Sequence, residues 1–183
     1  MIPAGTEVDV VITHLEMTAR PLYDRPSVPS LGRVALIAAE DPPVWWFLDL
    51  YSAVGVRHEW TDMFDLPTEE LTAFVTDPEM RIYTMFLQGW PGGFFMLDGR
   101  EAAVVDIAYF GLVPEAHGRG LGRYLLQTAI HTAWDTSGAE KVTVKTCTLD
   151  HPAALPLYQK CGFGAVAQET TRRILTRDRE GEI

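Results

Sequence analysis

With 183 residues, 47% of them hydrophobic, and a formal net charge of −10, the chain reads as one acidic globular unit with material for a full core. That charge argues against a nucleic-acid partner, which needs a basic face, and weakly favours a cationic substrate. Two cysteines, Cys147 and Cys161, form neither a disulfide framework nor a paired zinc motif. No apolar run is long enough for a membrane, and Met1 to Val10 lacks signal-peptide character, so a reduced, cytoplasmic protein without metal or membrane partner is expected.

Val8 to Met17 is rich in β-branched residues and predicts a first strand. Pro21, Pro26 and Pro29 make Ala19 to Arg33 a loop, and Val34 to Ala39 predicts a second strand. Pro42 and Pro43 precede a helix with Val44, Leu48 and Tyr51 at helical spacing, closing near Gly55. Val56 to Phe64 reads as a connecting loop. Pro67 opens another helix. Glu69 and Glu70 sit in its first turn, where the dipole favours negative charge, and Leu71, Phe74 and Val75 form its apolar stripe before Asp77-Pro78. Arg81 to Gln88 and Pro91 to Leu97 flank Gly89-Trp90 as a hairpin. Asp98-Gly99 turns into a third meander strand, Ala102 to Leu112. Leu121 to Trp134 is a helix with a wide apolar stripe, and Lys141 to Leu149 a strand. Pro152 to Cys161 is a short helix that Pro156 must distort or confine to its later turns. Phe163 to Ile174 is the last strand, and the charged tail from Arg177 is expected to fray. The expected fold class is a single mixed α/β domain, with helices covering a largely antiparallel sheet.

The stretch Val113 to Leu126 joins strand to helix through Gly118, Gly120 and Gly122. A helix that opens on glycines is an anion site in waiting. Its first N–H groups lack partners, the dipole adds positive charge, and glycines allow close approach. A P-loop needs Lys and then Ser or Thr after its last glycine, and Arg123-Tyr124 stand there instead. A dinucleotide fingerprint needs different glycine spacing and a βαβ unit. A glycine turn that merely lets the helix pack is the remaining alternative.

Pro114-Glu-Ala-His-Gly-Arg-Gly-Leu-Gly122 resembles the acyl-CoA pyrophosphate loop of the GNAT superfamily of N-acetyltransferases. The usual pattern is Arg or Gln, two residues, Gly, one residue, then Gly or Ala. Gly120 and Gly122 match, and His117 replaces the Arg or Gln. Downstream, Ala154-Leu-Pro-Leu-Tyr-Gln-Lys-Cys-Gly-Phe163 is similar to the family's A-x-x-L-Y-x-x-x-G-F segment, with His151 where Asn usually stands. The resemblance implies a GNAT fold with a β-strand–glycine loop–helix CoA site. It implies direct transfer of an acetyl group from acetyl-CoA, as cosubstrate, to an amine acceptor. A non-catalytic acyl-CoA-binding or sensor domain of the same fold is the alternative, and homodimers are common in the family.

By resemblance, the backbone near Phe110 and Leu112 would bind pantetheine, and Gly118, Arg119, Gly120, Leu121 and Gly122 the pyrophosphate. Arg119 and Arg123 would add charge-assisted contacts, and His117 and His151 would border the CoA arm. Tyr158 stands where the family places the acid for the thiolate. The amine needs a base, because an alkyl ammonium with pKa near 10.4 is only about one part in a thousand neutral at pH 7. Asp106 is the candidate, sharing one strand face with Ala108 and Phe110 by period two, with Tyr109 opposite as a substrate-side alternative. His151 is also open to a helix-capping role. Cys147 is read as a packed thiol, and His14, His58 and His131, with no partner at useful spacing, as surface or satisfied histidines. One of the adjacent Trp45 and Trp46, clustered with Tyr51 and Trp60, is expected to face the acceptor cleft.

Overall fold

The computed structural model describes residues 1–30 and 32–180. Leu31, in the expected loop, and residues 181–183, in the tail expected to fray, lie outside the described residues. The strands are β1 (Glu7–Met17), β2 (Val34–Ala38), β3 (Met80–Leu87), β4 (Trp90–Asp98), β5 (Val104–Leu112), β6 (Lys141–Cys147) and β7 (Gly164–Ile174). The α-helices are α1 (Val44–Gly55), α2 (Thr68–Val75), α3 (Leu121–Trp134) and α4 (Ala154–Lys160). One seven-stranded sheet runs in the order β2-β3-β4-β5-β6-β1-β7. Every neighbouring pair is antiparallel except β5 and β6. The mixed α/β class expected from the sequence is the one observed. No helix among the described residues is long and apolar enough to cross a membrane.

Local chemistry accounts for most boundaries. The β3–β4 turn falls on Gln88 and Gly89, whose φ values of 54° and 97° match the twist of a two-residue hairpin. Trp90 is therefore the first residue of β4 rather than part of the turn. Pro156 does not distort α4. It lies in the first turn, where its missing N–H would have had no acceptor within the helix.

The core forms on both sheet faces. Leu121, Leu125, Leu126, Ala129, Ile130 and Ala133 of α3 are fully buried against β4, β5 and β6. Each such Leu or Ile contributes about 1.5–3 kcal/mol on burial. On the opposite face, Phe47, Leu50, Tyr51 and Val54 of α1 cover β4 and β5. Gly111 permits this approach, because a β-carbon there would collide with Val54 Cγ1. The described tail is held rather than frayed. Arg179 and Ile2 exchange backbone hydrogen bonds of 2.8 Å, and the Thr176 hydroxyl donates to buried Glu59 at 2.7 Å.

Two features of β5 shape the site. It pairs with β6 only from Val104 to Asp106, after which the two strands part. From Ile107 to Leu112, one edge of β5 is bonded to β4 and the other is open. The β4–β5 register also slips, with Met96 opposite Tyr109 but Leu97 opposite Ile107. Ala108 is thus the extra residue of a β-bulge. The expected period-two face is corrected by this bulge: Asp106 and Tyr109 share the α1 face, while Phe110 lies on the α3 face.

Candidate active site

The parting of β5 and β6 opens a cleft of about 600 Å³ that passes through the sheet. On one side lie the glycine loop, the start of α3 and Tyr158 of α4. On the other lie Tyr51, Trp60 and the segment joining them.

Gly118 and Gly120 take left-handed φ values of 73° and 72°, which favour glycine. Gly120 is the N-cap of α3, and no side chain caps it. The N–H groups of Gly118 to Gly122 have no backbone acceptor among the described residues. A β-carbon on Gly118 or Gly120 would meet nothing within 4 Å, so the space above the loop is open. Gly122 instead packs beside Leu157 and Leu112. Arg119 and Arg123 are exposed, and neither meets a carboxylate among the described residues. Free amides and the helix dipole give this loop the chemistry of an anion cradle, with the exposed Arg119 and Arg123 as its nearest cations in the sequence.

Two histidines brace this side. His117 Nε2 donates to the Leu112 carbonyl at 3.1 Å, fixing the loop to the end of β5. Its ring lies edge-on to His151 at 5.2 Å. His151 Nδ1 accepts the Ala153 N–H at 3.1 Å, so it serves the start of α4 while its ring borders the cleft. Asp150 does not cap that helix. It accepts from Thr146 Oγ1 at 2.8 Å, the Cys147 N–H at 2.9 Å and Trp60 Nε1 at 3.3 Å.

Tyr158 is 5% exposed and packs edge-on against Phe110 and Phe163 at 6.0 and 6.1 Å. Its hydroxyl borders the cleft with no hydrogen-bond partner among the described residues. Burial, reinforced by Asp150 and Asp106, pushes its pKa well above the ordinary phenol value. The group remains a proton donor throughout the physiological range.

Asp106 borders the same cleft on the α1 face. Its Oδ1 accepts from Thr143 Oγ1 at 2.6 Å. Burial raises its pKa above the usual carboxylate value, and the Thr143 bond and Lys145 partly oppose that rise. Tyr109 stands beside it in an aromatic wall, with ring centroids 5.2 Å from Tyr51 and 5.3 Å from Trp60. Burial pushes the Tyr51 phenol up to about 12.

Neither Trp45 nor Trp46 faces the cleft. The sheet-facing stripe of α1 is Phe47, Leu50, Tyr51 and Val54, which leaves Trp45 63% exposed and Trp46 at the edge of the core. Trp60, from the segment after α1, takes the expected place. His14 and His58 also border the cleft, each with a hydrogen-bond partner. His14 pairs with Glu169 at 3.0 Å, and His58 Nδ1 donates to the Leu149 carbonyl at 3.2 Å. Burial lowers the His58 pKa. No spacing in the sequence signals His14, because β1 reaches the site only through its place beside β6, and His58 comes from the segment after α1. His131 is buried under Tyr23, away from the cleft. Cys147 borders the cleft, but burial and Asp150 raise its pKa, so it stays a thiol.

Known proteins share this fold. Residues 44–163 match the model of the Acetyltransferase (GNAT) family. A GCN5-related N-acetyltransferase from Sphaerobacter thermophilus superposes with a TM-score of 0.62 at 17% identity, over 96% of this chain and 53% of that one. One from Kribbella flavida gives 0.59 at 15% identity, over 88% and 56%. A Bacillus subtilis acetyltransferase in complex with CoA gives 0.52 at 21% identity, over 74% and 79%. The chain spans 53–64% of the length of the first solved structures it matches. No curated protein matches it. With the family model matched over more than half its residues, on a sheet whose parted strands frame an anion cradle, the chain belongs to the GNAT acetyltransferase family, whose chemistry is acyl transfer.

Proposed function

We propose that residues 1–183 form a single cytoplasmic acetyl-CoA-dependent N-acetyltransferase, which moves the acetyl group to a primary amine by direct attack on the thioester. One observation carries the reading. The parting of β5 and β6 lines up an open anion cradle, a partnerless buried phenol and a desolvated carboxylate along one cleft.

The residues fit the cosubstrate. Amides of Gly118 to Gly122, with Arg119 and Arg123, would hold the pyrophosphate. The open edge of β5 around Phe110 and Leu112 has the unpaired backbone needed by the amides of a pantetheine arm. His117 and His151 would border that arm. When bound, acetyl-CoA supplies the activated acyl group.

Asp106 accepts a proton from the ammonium, directly or through a water. Bringing an alkyl ammonium of pKa about 10.4 to its neutral form at pH 7 costs about 4.6 kcal/mol. A carboxylate whose own pKa is raised is better matched to that transfer. The N–C bond then forms as the C–S bond breaks, and the nitrogen loses its second proton as the amide is made. Tyr158 gives its hydroxyl proton to the departing sulfur and regains one from solvent. One proton is released in all. A thiolate of pKa about 8.5 in water is the weaker base there, but the departing sulfur would be desolvated beside Tyr158, which raises its basicity as well. The protonated Cys147 favours direct attack over an acyl-enzyme route. Thiol release from acetyl-CoA, measured over a panel of amines beside calorimetric binding, tests the reading. Amine-dependent release is expected, and binding without release would instead indicate an acyl-CoA-binding or sensor domain.

A further inference from the structure

The α1 side of the cleft, where the acceptor would enter, carries a pattern of paired and unpaired charge. Arg173 reaches both carboxylate oxygens of Asp62 at 2.8 Å. His14 meets Glu169 at 3.0 Å, and Arg100 meets Asp98 at 2.6 Å. The Asp150 carboxylate is filled by three donors, and Glu59 accepts from the N–H and hydroxyl of Thr176. Among the described residues bordering the cleft, Asp106 pairs with no cation and accepts a single side-chain hydrogen bond, from Thr143, and Lys145 meets no carboxylate.

These two have opposite sign and project from the same sheet face. Asp106 pairs across the sheet with Thr143, and Lys145 lies two positions further along β6. Two strand positions span about 6.7 Å, and the flexible lysine stem brings its ammonium back over that distance. An ammonium and a carboxylate carried on one carbon satisfy both groups together. The adjoining wall is apolar and aromatic. Tyr109 and Trp60 lie 5.3 Å apart, with Tyr51 5.4 Å from Trp60. A polyamine or aminoglycoside would set further cations against Lys145. A simple monoamine would leave Lys145 unused.

We propose that the acceptor is a free α-amino acid with an apolar, preferentially aromatic, side chain. Its ammonium meets Asp106, its carboxylate Lys145, and its side chain the wall of Tyr109 and Trp60. This rests on the acetyltransferase reading above and narrows its substrate.

The experiment compares kcat/KM for phenylalanine, phenethylamine and spermidine by thiol release. Phenethylamine keeps the ring and amine of phenylalanine but lacks its carboxylate. Because Lys145 is exposed, the expected preference for phenylalanine over phenethylamine is modest, about tenfold. Lys145→Ala should abolish that ratio, Lys145→Arg should retain it, and Lys145→Glu should invert it. The inference fails, with the acetyltransferase reading intact, if phenethylamine or spermidine is used as well as phenylalanine. It fails equally if the ratio survives Lys145→Ala. Acetyl-CoA binding with no thiol released from these three amines overturns this inference, and no release across the wider amine panel overturns the acetyltransferase reading as well.

Discussion

Replacing Tyr158 with phenylalanine separates chemistry from architecture. The side chain is 5% exposed, and its ring contacts with Phe110 and Phe163 do not involve the hydroxyl. That hydroxyl opens on the cleft and has no protein partner among the described residues, so its removal breaks no hydrogen bond within the fold. Removing it should leave the fold unharmed, with Tm within about 2 °C of the parent for a chain of this length. A general acid contributes about 10²–10⁴ in rate, equivalent to roughly 3–5 kcal/mol of barrier. Thiol-release kinetics should therefore show kcat at least about a hundredfold lower, with acetyl-CoA affinity by calorimetry nearly unchanged. An unaltered kcat would refute the role of Tyr158 as acid. A large fall in Tm would show that its hydroxyl has a structural partner.

Asp106→Asn should lose thiol release by about 10²–10⁴ while Tm at pH 7 stays level or rises. Burial raises the Asp106 pKa in the fold, so its contribution to stability is full below the unfolded carboxyl pKa and is lost as pH climbs through the folded value. The amide removes that loss, and a fall in Tm at pH 7 would contradict it. Thr143→Val deletes the donor that steadies the Asp106 carboxylate, so the acidic limb of the kcat/KM profile should move to higher pH. A limb that stays put would separate Asp106 from the rate. Gly120→Glu places a side chain at a φ of 72° and a negative charge in the cradle. It should cost about 1–2 kcal/mol of stability and abolish acetyl-CoA binding by calorimetry, and retained affinity would remove the loop from the site.

The elements of the fold were readable because their signals are local. The β-branched residues of Val8 to Met17, the α3 stripe of Leu121, Leu125 and Ala129, and the glycines before it need no knowledge of partners. Non-local pairing was not readable. No residue within β1 announces that it lies between β6 and β7, which is what brings His14 beside Lys145. The bulge at Ala108 is set by register against β4, and it reverses the faces of Tyr109 and Phe110 relative to Asp106. Trp60 outranks Trp45 and Trp46 in the cleft because Gly55 leaves room for its ring, where a β-carbon would collide with it. Asp106 and Tyr158 lie along one cleft because two distant strands part, and periodicity contains no record of that divergence.

The most direct test of the central claim is a paired assay of one sample. Free thiol from acetyl-CoA is measured beside mass-spectrometric quantitation of the N-acetylated amine. The account predicts thiol and N-acetyl product in equal amounts, both dependent on the amine and both lost in Asp106→Asn. Acetyl-CoA binding without N-acetyl product from any amine would contradict it.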